Sequence, residues 1–211
     1  MKCDYCKEFR RGFLEIEKEN FGNRILFETE NFLVFPTLGQ IVEGYLLIAS
    51  KEHYLNIGEI PLELYPELEK LQHKVRKVLE DNYYTPLFFE HGPASASLRS
   101  GCCIEHAHIH AVPLQLDILE SISKNFKGRE ITNYTEIKRH FQRGIQYLFY
   151  EDNKCKRYLF TVHDIIPPQY LRKVIAHKIG HPEKWDWKNY LGLAELSETI
   201  RKLKGKFGEV K

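Results

Sequence analysis

Three histidines alternate with small or branched apolar residues at His106-Ala107-His108-Ile109-His110. In an extended strand successive side chains point to opposite faces. This spacing therefore puts His106, His108 and His110 on one face and leaves Ala107, Ile109 and Ala111 to pack behind them. Neutral imidazole is a competent nucleophile near pH 7, because its unperturbed pKa is about 6.5. Attack on a phosphoryl group gives a phosphoramidate that water can cleave, with flanking donors holding the phosphate oxygens as charge develops. One metal held by all three rings is disfavoured. His106 and His110 lie about 13 Å apart along a strand rising about 3.3 Å per residue, whereas zinc–nitrogen bonds are about 2 Å. A metallohydrolase with its metal on His108 and His110 is a weaker alternative, and solvated or simply hydrogen-bonded histidines are the plain one. Divided labour among the three rings is the better inference.

A second group with chemistry to offer is Cys3-Asp4-Tyr5-Cys6. Two thiolates at this spacing can meet one tetrahedral zinc ion, while a redox role would need a thioredoxin-like βαβ context that is absent. Two further ligands are required, and His53 and His106 are the candidates; otherwise the pair is two inert thiols on a mobile terminus. The chain has five cysteines, two of them adjacent at Cys102-Cys103. That arrangement suits thiols or metal ligands better than a disulfide framework. Cys102 and Cys103 read equally well as small buried residues beside a site. Glu90 and His91 end a strand facing the Ser-, Gly- and Pro-bearing stretch 92–101, which makes them site candidates. Arg99 and Ser100 in that stretch are placed to hold phosphates.

The elements that must position these groups follow from periodicity. Short apolar runs at 24–28 and 32–35, separated by Thr29-Glu30-Asn31, read as a hairpin, and 45–49 as a third strand. Pro61 opens a long helix with an apolar stripe at Leu64, Leu68, Leu71, Val75 and Leu79. Residues 86–90 and 105–112 return to strand. The fold expected is α+β, an antiparallel sheet packed with a long helix, plus a mainly helical C-terminal extension. The core covers 1–113 and the extension, packed on it, covers 114–211. In the extension, 118–126, 134–143, 169–180 and 193–203 read as helices, with one extra hairpin at 147–150 and 158–162. Trp185-Asp186-Trp187 reads as an aromatic cluster docking this half.

The 211 residues are 43% hydrophobic and 28% charged with a formal net charge of +2, which suits an ordinary globular protein. The charge is too mild to announce a DNA-binding surface or a membrane anchor. No apolar run of about 18 residues and no hydrophobic signal segment is present, so a cytoplasmic location is expected. Neither a Walker A loop nor a Rossmann glycine fingerprint appears.

The segment His106-Ala107-His108-Ile109-His110-Ala111-Val112 resembles the histidine triad (HIT) superfamily of nucleotide hydrolases and transferases. Upstream, Phe32-Leu33-Val34-Phe35-Pro36, Glu43-Gly44-Tyr45-Leu46-Leu47-Ile48 and Lys51-Glu52-His53 are similar to the family's strand–turn–strand–histidine run. The likeness covers about the first 113 residues. It implies that His108 is the nucleophile toward an α-phosphate, with His106 and His110 orienting it or contacting phosphate. Implied with it are a nucleotide or nucleotide conjugate as ligand and no catalytic metal or organic cofactor; many members are homodimers, while the C-terminal half here could cover the usual dimer surface. Zinc-bearing members pair a Cys-x-x-Cys with a histidine at the His53 position and the first triad histidine, which implies a structural zinc on Cys3, Cys6, His53 and His106.

Three positions depart from the family pattern. Tyr45 stands where many members place a histidine, and Thr37 where an Asp or Asn often contacts ribose. Gly101-Cys102-Cys103 replaces Gly-Gln-Ser/Thr, and a thiol is a weaker donor than a hydroxyl. The departures at Thr37 and Cys102-Cys103, with the extension, support a rival expectation: a nucleotide- or RNA-binding module of the same fold with little turnover.

Overall fold

The computed structural model describes residues 3–16, 19–20, 22–95, 104–164 and 166–208. The chain begins with helix α1 (Asp4–Arg11) and a small ribbon of β1 (Glu15–Ile16) against β2 (Glu19–Asn20). Strands β3 (Phe27–Glu28), β4 (Phe32–Pro36) and β5 (Leu46–Ser50) follow. A 3-10 turn at Leu62–Leu64 then leads into helix α2 (Tyr65–Asn82), with Pro66 at its start where no N–H is needed. Strands β6 (Leu87–Gly92) and β7 (His108–Val112) complete the first half. The second half holds α3 (Leu119–Ser123), β8 (Gly128–Ile131), α4 (Thr135–Gln142), β9 (Gln146–Glu151), β10 (Arg157–Val162), α5 (Tyr170–Lys178) and α6 (Leu193–Leu203).

Among the described residues, eight of these strands form one antiparallel sheet in the order β3-β4-β5-β7-β6-β9-β10-β8. The pleat divides its side chains. Val34, Ile48, Phe88, Ile109, Ala111 and Phe149 pack toward Leu68, Leu71, Val75 and Leu79 of α2. Leu33, Phe35, Leu47, Phe89, Leu148 and Tyr150 face the other way, toward α1, α3 and α5. Burying side chains of this size contributes about 1.5–3 kcal/mol each, so both layers hold the sheet flat against its helices. None of the helices among the described residues is long and apolar enough to cross a membrane.

The α+β architecture is the one expected from periodicity, and three local features differ from it. Helix α1 and strand β8 have too few apolar residues in register to announce themselves. The histidine strand begins at His108, not at residue 105. His106 N–H donates to the Ile104 carbonyl in a tight turn (3.0 Å), while Ala107 N–H donates to Tyr54 O (2.7 Å), so the backbone before His108 leaves the regular ladder. Finally, the extra hairpin β9–β10 does not stand apart. β9 pairs with β6 from Phe88↔Glu151 to Gly92↔Tyr147, carrying the sheet from the first half into the second.

The extension returns to the first half at Gly39. Its N–H donates to Leu191 O (2.7 Å), its φ is +68°, and a Cβ there would meet the Trp187 Cβ at 2.4 Å and Cα at 2.7 Å. Left-handed backbone and backbone-to-backbone closeness both demand glycine. Gly39→Ala is therefore expected to lower stability by roughly 2–4 kcal/mol, measured by denaturant unfolding. A midpoint equal to the parent protein's would rule out this docking.

Candidate active site and metal clasp

A cavity of about 270 Å³ opens on the sheet face away from α2. His108, His110, Phe89 and His91 reach it from the sheet, Tyr5 and Lys7 from α1, and Arg172 and Trp187 from the extension. β7 sits between β5 and β6, with His108 opposite Ala49 and His110 opposite both Leu47 and Phe89. His110 is thus fixed by a ladder on each side, and His108 by its pairing with β5. Their rings lie 4.8 Å apart, and the His110 ring stacks on Phe89 at 4.4 Å.

Hydrogen bonds give the two rings different free nitrogens. His108 Nδ1–H donates to the His106 carbonyl (2.5 Å), since a carbonyl can only accept. Nδ1 therefore carries the proton, and Nε2 keeps the lone pair. Burial holds His108 below its ordinary 6.5, which keeps the ring neutral near pH 7. His110 bonds through Nδ1 to the Tyr45 hydroxyl (2.7 Å), and burial, followed by the charge of His108, sets it well below the ordinary value as well.

His106 serves a different group. Its Nε2 is the nitrogen that donates to the Ser50 carbonyl (2.7 Å), so Nδ1 is left with a lone pair directed at Cys3 Sγ and Cys6 Sγ, each at 3.5 Å. Cys6 Sγ also lies 3.4 Å from His53 Nδ1, and all four donor atoms fall within 4.8 Å of one another. A tetrahedral zinc with sulfur at about 2.3 Å and nitrogen at about 2.0 Å spans about 3.5 Å between an S and an N ligand. The four residues fit that ion. The Ser50 carbonyl supplies the outer hydrogen bond that fixes a ligating imidazole's tautomer. Burial lowers His106 to about 4, the neutral form a metal ligand needs. Burial raises Cys6 to about 11, a proton that a bound cation would displace.

The clasp shapes the cavity. Cys3 caps α1 and Cys6 lies one turn in, so Tyr5 is carried between them. Its buried ring meets His108 edge-on at 5.6 Å and His106 at 5.8 Å. Arg24 ties the same helix to β4, through paired bonds to Glu8 (2.7 Å each) and a contact with the Pro36 carbonyl.

Other expected site residues separate. Thr37 is buried and His91 half-buried, and both line the cavity; the Thr37 hydroxyl is already donated to Leu38 O (2.9 Å). Arg99, Gly101 and Cys103, with Ser100 and Cys102, lie outside the described residues. Glu90 is a correction. It alternates with Phe89 and His91 along β6 and points to the α2 face, where it accepts Ile57 N–H (2.8 Å) and Tyr147 O–H (2.5 Å).

Burial raises the Glu90 carboxyl to about 8, from an ordinary 4.5. With the folded pKa above the unfolded one, the native state binds the extra proton between those values. Stability should therefore fall as pH rises from about 5 to about 8. Glu90→Gln is expected to remove that slope, so that the variant gains on the parent protein between pH 6 and 9 in thermal melts. Parallel melting curves for the two proteins would contradict it.

Tyr5, Arg172, Gln169 and Trp187 were not legible as site residues. For Tyr5 a signal existed: any residue between two clasp cysteines that is pinned against His106 must lie beside His108. Arg172 and Trp187 had none, since only chain folding across more than 60 residues brings them near the triad.

A family model described as "Scavenger mRNA decapping enzyme C-term binding" matches residues 10–125. Among curated proteins, the chain is similar to zinc finger CCCH domain-containing protein 64 of Arabidopsis thaliana, 22% identical over 177 residues, 76% of this chain and 28% of that protein. It is similar also to CWF19-like protein 1 of Homo sapiens, 21% identical over 175 residues, 77% of this chain and 31% of that protein. The chain thus spans about a third of the length of the curated relatives it matches. Among solved structures, a HIT family protein from Bacillus anthracis superposes with a TM-score of 0.42 at 18% identity, covering 53% of this chain and 72% of that one. A Zn-bound histidine triad family protein from Mycobacterium smegmatis superposes with a TM-score of 0.43 at 16% identity, covering 68% and 93%.

Proposed function

The chain belongs to the scavenger mRNA decapping enzyme C-terminal binding family and has the HIT-like fold expected of it; from that premise we propose that it is a nucleotide hydrolase or nucleotidyl transferase acting at an α-phosphate through His108. The observation that carries this reading is the Nδ1 bond of His108 to the His106 carbonyl, in a ring that lines the cavity. It leaves Nε2 as the one nitrogen of His108 with a lone pair.

The Nε2 lone pair forms an N–P bond while the bond from phosphorus to the leaving oxygen breaks and takes its electron pair. The His108 ring then carries a positive charge, and its Nδ1–H is held by the His106 carbonyl throughout. In hydrolysis, water attacks phosphorus, the N–P bond breaks and its electron pair returns to Nε2, and the proton that water loses passes to solvent, matching the proton the departed oxygen takes up; in transfer, an acceptor hydroxyl takes the place of water and loses its proton in the same way. His110 offers a donor to the phosphate oxygens. Thr37 and His91 are the cavity residues for the nucleotide, and Arg99, Gly101 and Cys103 remain its further candidates.

Cys3, Cys6, His53 and His106 hold a structural zinc. Such an ion, with all four positions filled by Cys3, Cys6, His53 and His106, would tie the first helix over the site in a structural role. The test is a turnover screen of dinucleoside polyphosphates, nucleoside phosphoramidates, nucleotide sugars and capped RNA fragments, with capture of a nucleotide on the denatured protein. Tight binding of a nucleotide with neither turnover nor adduct would instead favour a binding module. The word "binding" in the family's description and the three departures at Thr37, Tyr45 and Gly101-Cys102-Cys103 motivate that second reading.

A further inference from the structure

Cations on the cavity wall are mostly neutralised by carboxylates close by. Lys7 pairs with Asp4 (3.0 Å), Arg11 with Glu15 (3.3 Å) and Arg24 with Glu8 (2.7 Å). Arg172 is different. It is 4% exposed, and the hydrogen bonds it donates end on neutral oxygens: Gly39 O (2.6 Å), Trp185 O (3.0 Å), Gln169 Oε1 (3.1 Å) and Lys184 O (3.5 Å). Among the described residues no carboxylate forms an ion pair with Arg172; a buried guanidinium in that setting is costly to retain, and its field reaches whatever lies beside it. Beside it lies Tyr45. The guanidinium carbon sits 5.2 Å from the centre of the Tyr45 ring, so its positive charge acts on that ring and its hydroxyl.

A phenol hydroxyl can donate to, or accept from, a histidine nitrogen, and the two choices leave different imidazole tautomers. Arginine only donates and is always charged, so it draws the Tyr45 oxygen lone pairs toward itself and turns the O–H bond away. Turned away, that hydrogen meets His110 Nδ1 at an O···N distance of 2.7 Å. His110 Nδ1 must then be the acceptor, and the ring proton must be on Nε2.

We propose that Arg172 is a positioning residue: from the C-terminal extension it orients the Tyr45 hydroxyl, which keeps His110 as the Nε2–H tautomer and makes that nitrogen a donor toward a phosphate oxygen. The catalytic consequence rests on the function proposed above; the tautomer itself does not. The two neighbouring rings then carry opposite assignments, with His108 protonated at Nδ1 and nucleophilic at Nε2, and His110 bare at Nδ1 and donating at Nε2. The extension accordingly completes the charge pattern of the site.

The test uses the full chain labelled with ¹⁵N-histidine, with ring protonation read from two-bond ¹⁵N–¹H correlation spectra and His110 assigned against His110→Ala. The parent protein should show His110 with a protonated Nε2 and a bare Nδ1. Arg172→Gln should shift His110 toward a mixture containing the Nδ1–H form, and Arg172→Lys should restore the parent pattern. In single turnover, Arg172→Gln should slow adduct formation about 10-fold to 100-fold while substrate affinity changes much less. Should Arg172→Gln fail to fold, Tyr45→Phe, which removes only the hydroxyl, should give the same mixed tautomers. Nδ1–H on His110 in the parent protein, or an unchanged tautomer in Arg172→Gln or in folded Tyr45→Phe, would overturn the proposal. A parent protein that turns over no nucleotide counts against the proposed function alone, because the spectra still decide the positioning role.

Discussion

His108→Ala is expected to lower nucleotide turnover by about 10³-fold or more and to abolish the covalent adduct, with fold and metal content unchanged. Removing the only lone-pair nitrogen that His108 turns to the cavity leaves the neighbours unable to substitute. His110 Nδ1 is engaged by Tyr45, and His106 is committed at both nitrogens, to Ser50 and to the cysteines. The structural loss is small, because the His106 carbonyl gives up one hydrogen bond, worth about 1 kcal/mol. The acid limb of the pH profile checks the same assignment. With His108 held below its ordinary 6.5 by burial, the nucleophile stays unprotonated as pH falls through that value, so turnover should persist below it. An Ala variant with turnover within tenfold of the parent protein would end the case for His108.

Loss of the clasp should produce the second large effect. If the clasp holds zinc as proposed, Cys6→Ser or chelation of the parent protein is expected to lower zinc content and weaken nucleotide binding about 10-fold to 100-fold. The main sheet and α2 should stay folded. Their packing rests on two apolar layers in which, of the four candidate ligands, Cys3 alone takes part, as a partly buried residue against the second. What the clasp holds, together with the Arg24–Glu8 pair, is α1, the wall that carries Tyr5 and Lys7 into the cavity. Hydrogen exchange should therefore quicken across Asp4–Arg11 and change little in Tyr65–Asn82. The Arg24–Glu8 pair will retain part of α1, so binding should weaken without vanishing. A zinc-free Cys6→Ser protein with unaltered exchange in α1 and unaltered affinity would separate the clasp from the site.

These outcomes also explain how much could be read from residues in order. His108 and His110 were legible as neighbours because a strand's period of two puts them on one face, whereas His106 lies in the turn before β7 and its ring serves the cysteines. The clasp was partly legible, since Cys-x-x-Cys spacing is local while the choice of His53 and His106 depends on where β5 and β7 meet. Glu90 was misplaced although its strand was right. A shift of one residue along β6 sends a side chain to the other face, and only the pairing with β7 and β9 shows which face holds the cavity.

What the amino-acid order determined by itself is whatever depends on neighbours within a few residues: the alternating strand, the apolar stripe of α2, the cysteine spacing and the helices of the second half. What the tertiary structure alone decided is which nitrogen of each histidine is free. His108, His110 and His106 share a strand sequence and an intrinsic pKa, yet they answer to a carbonyl, a tyrosine and a pair of thiols. Those partners come from the preceding turn, from the residue just before β5, and from α1 with its cap, and the arginine beside the tyrosine comes from α5. Hydrogen-bond direction is set by partners that sequence spacing does not bring together, so the chemistry of identical rings diverges only once the chain has folded.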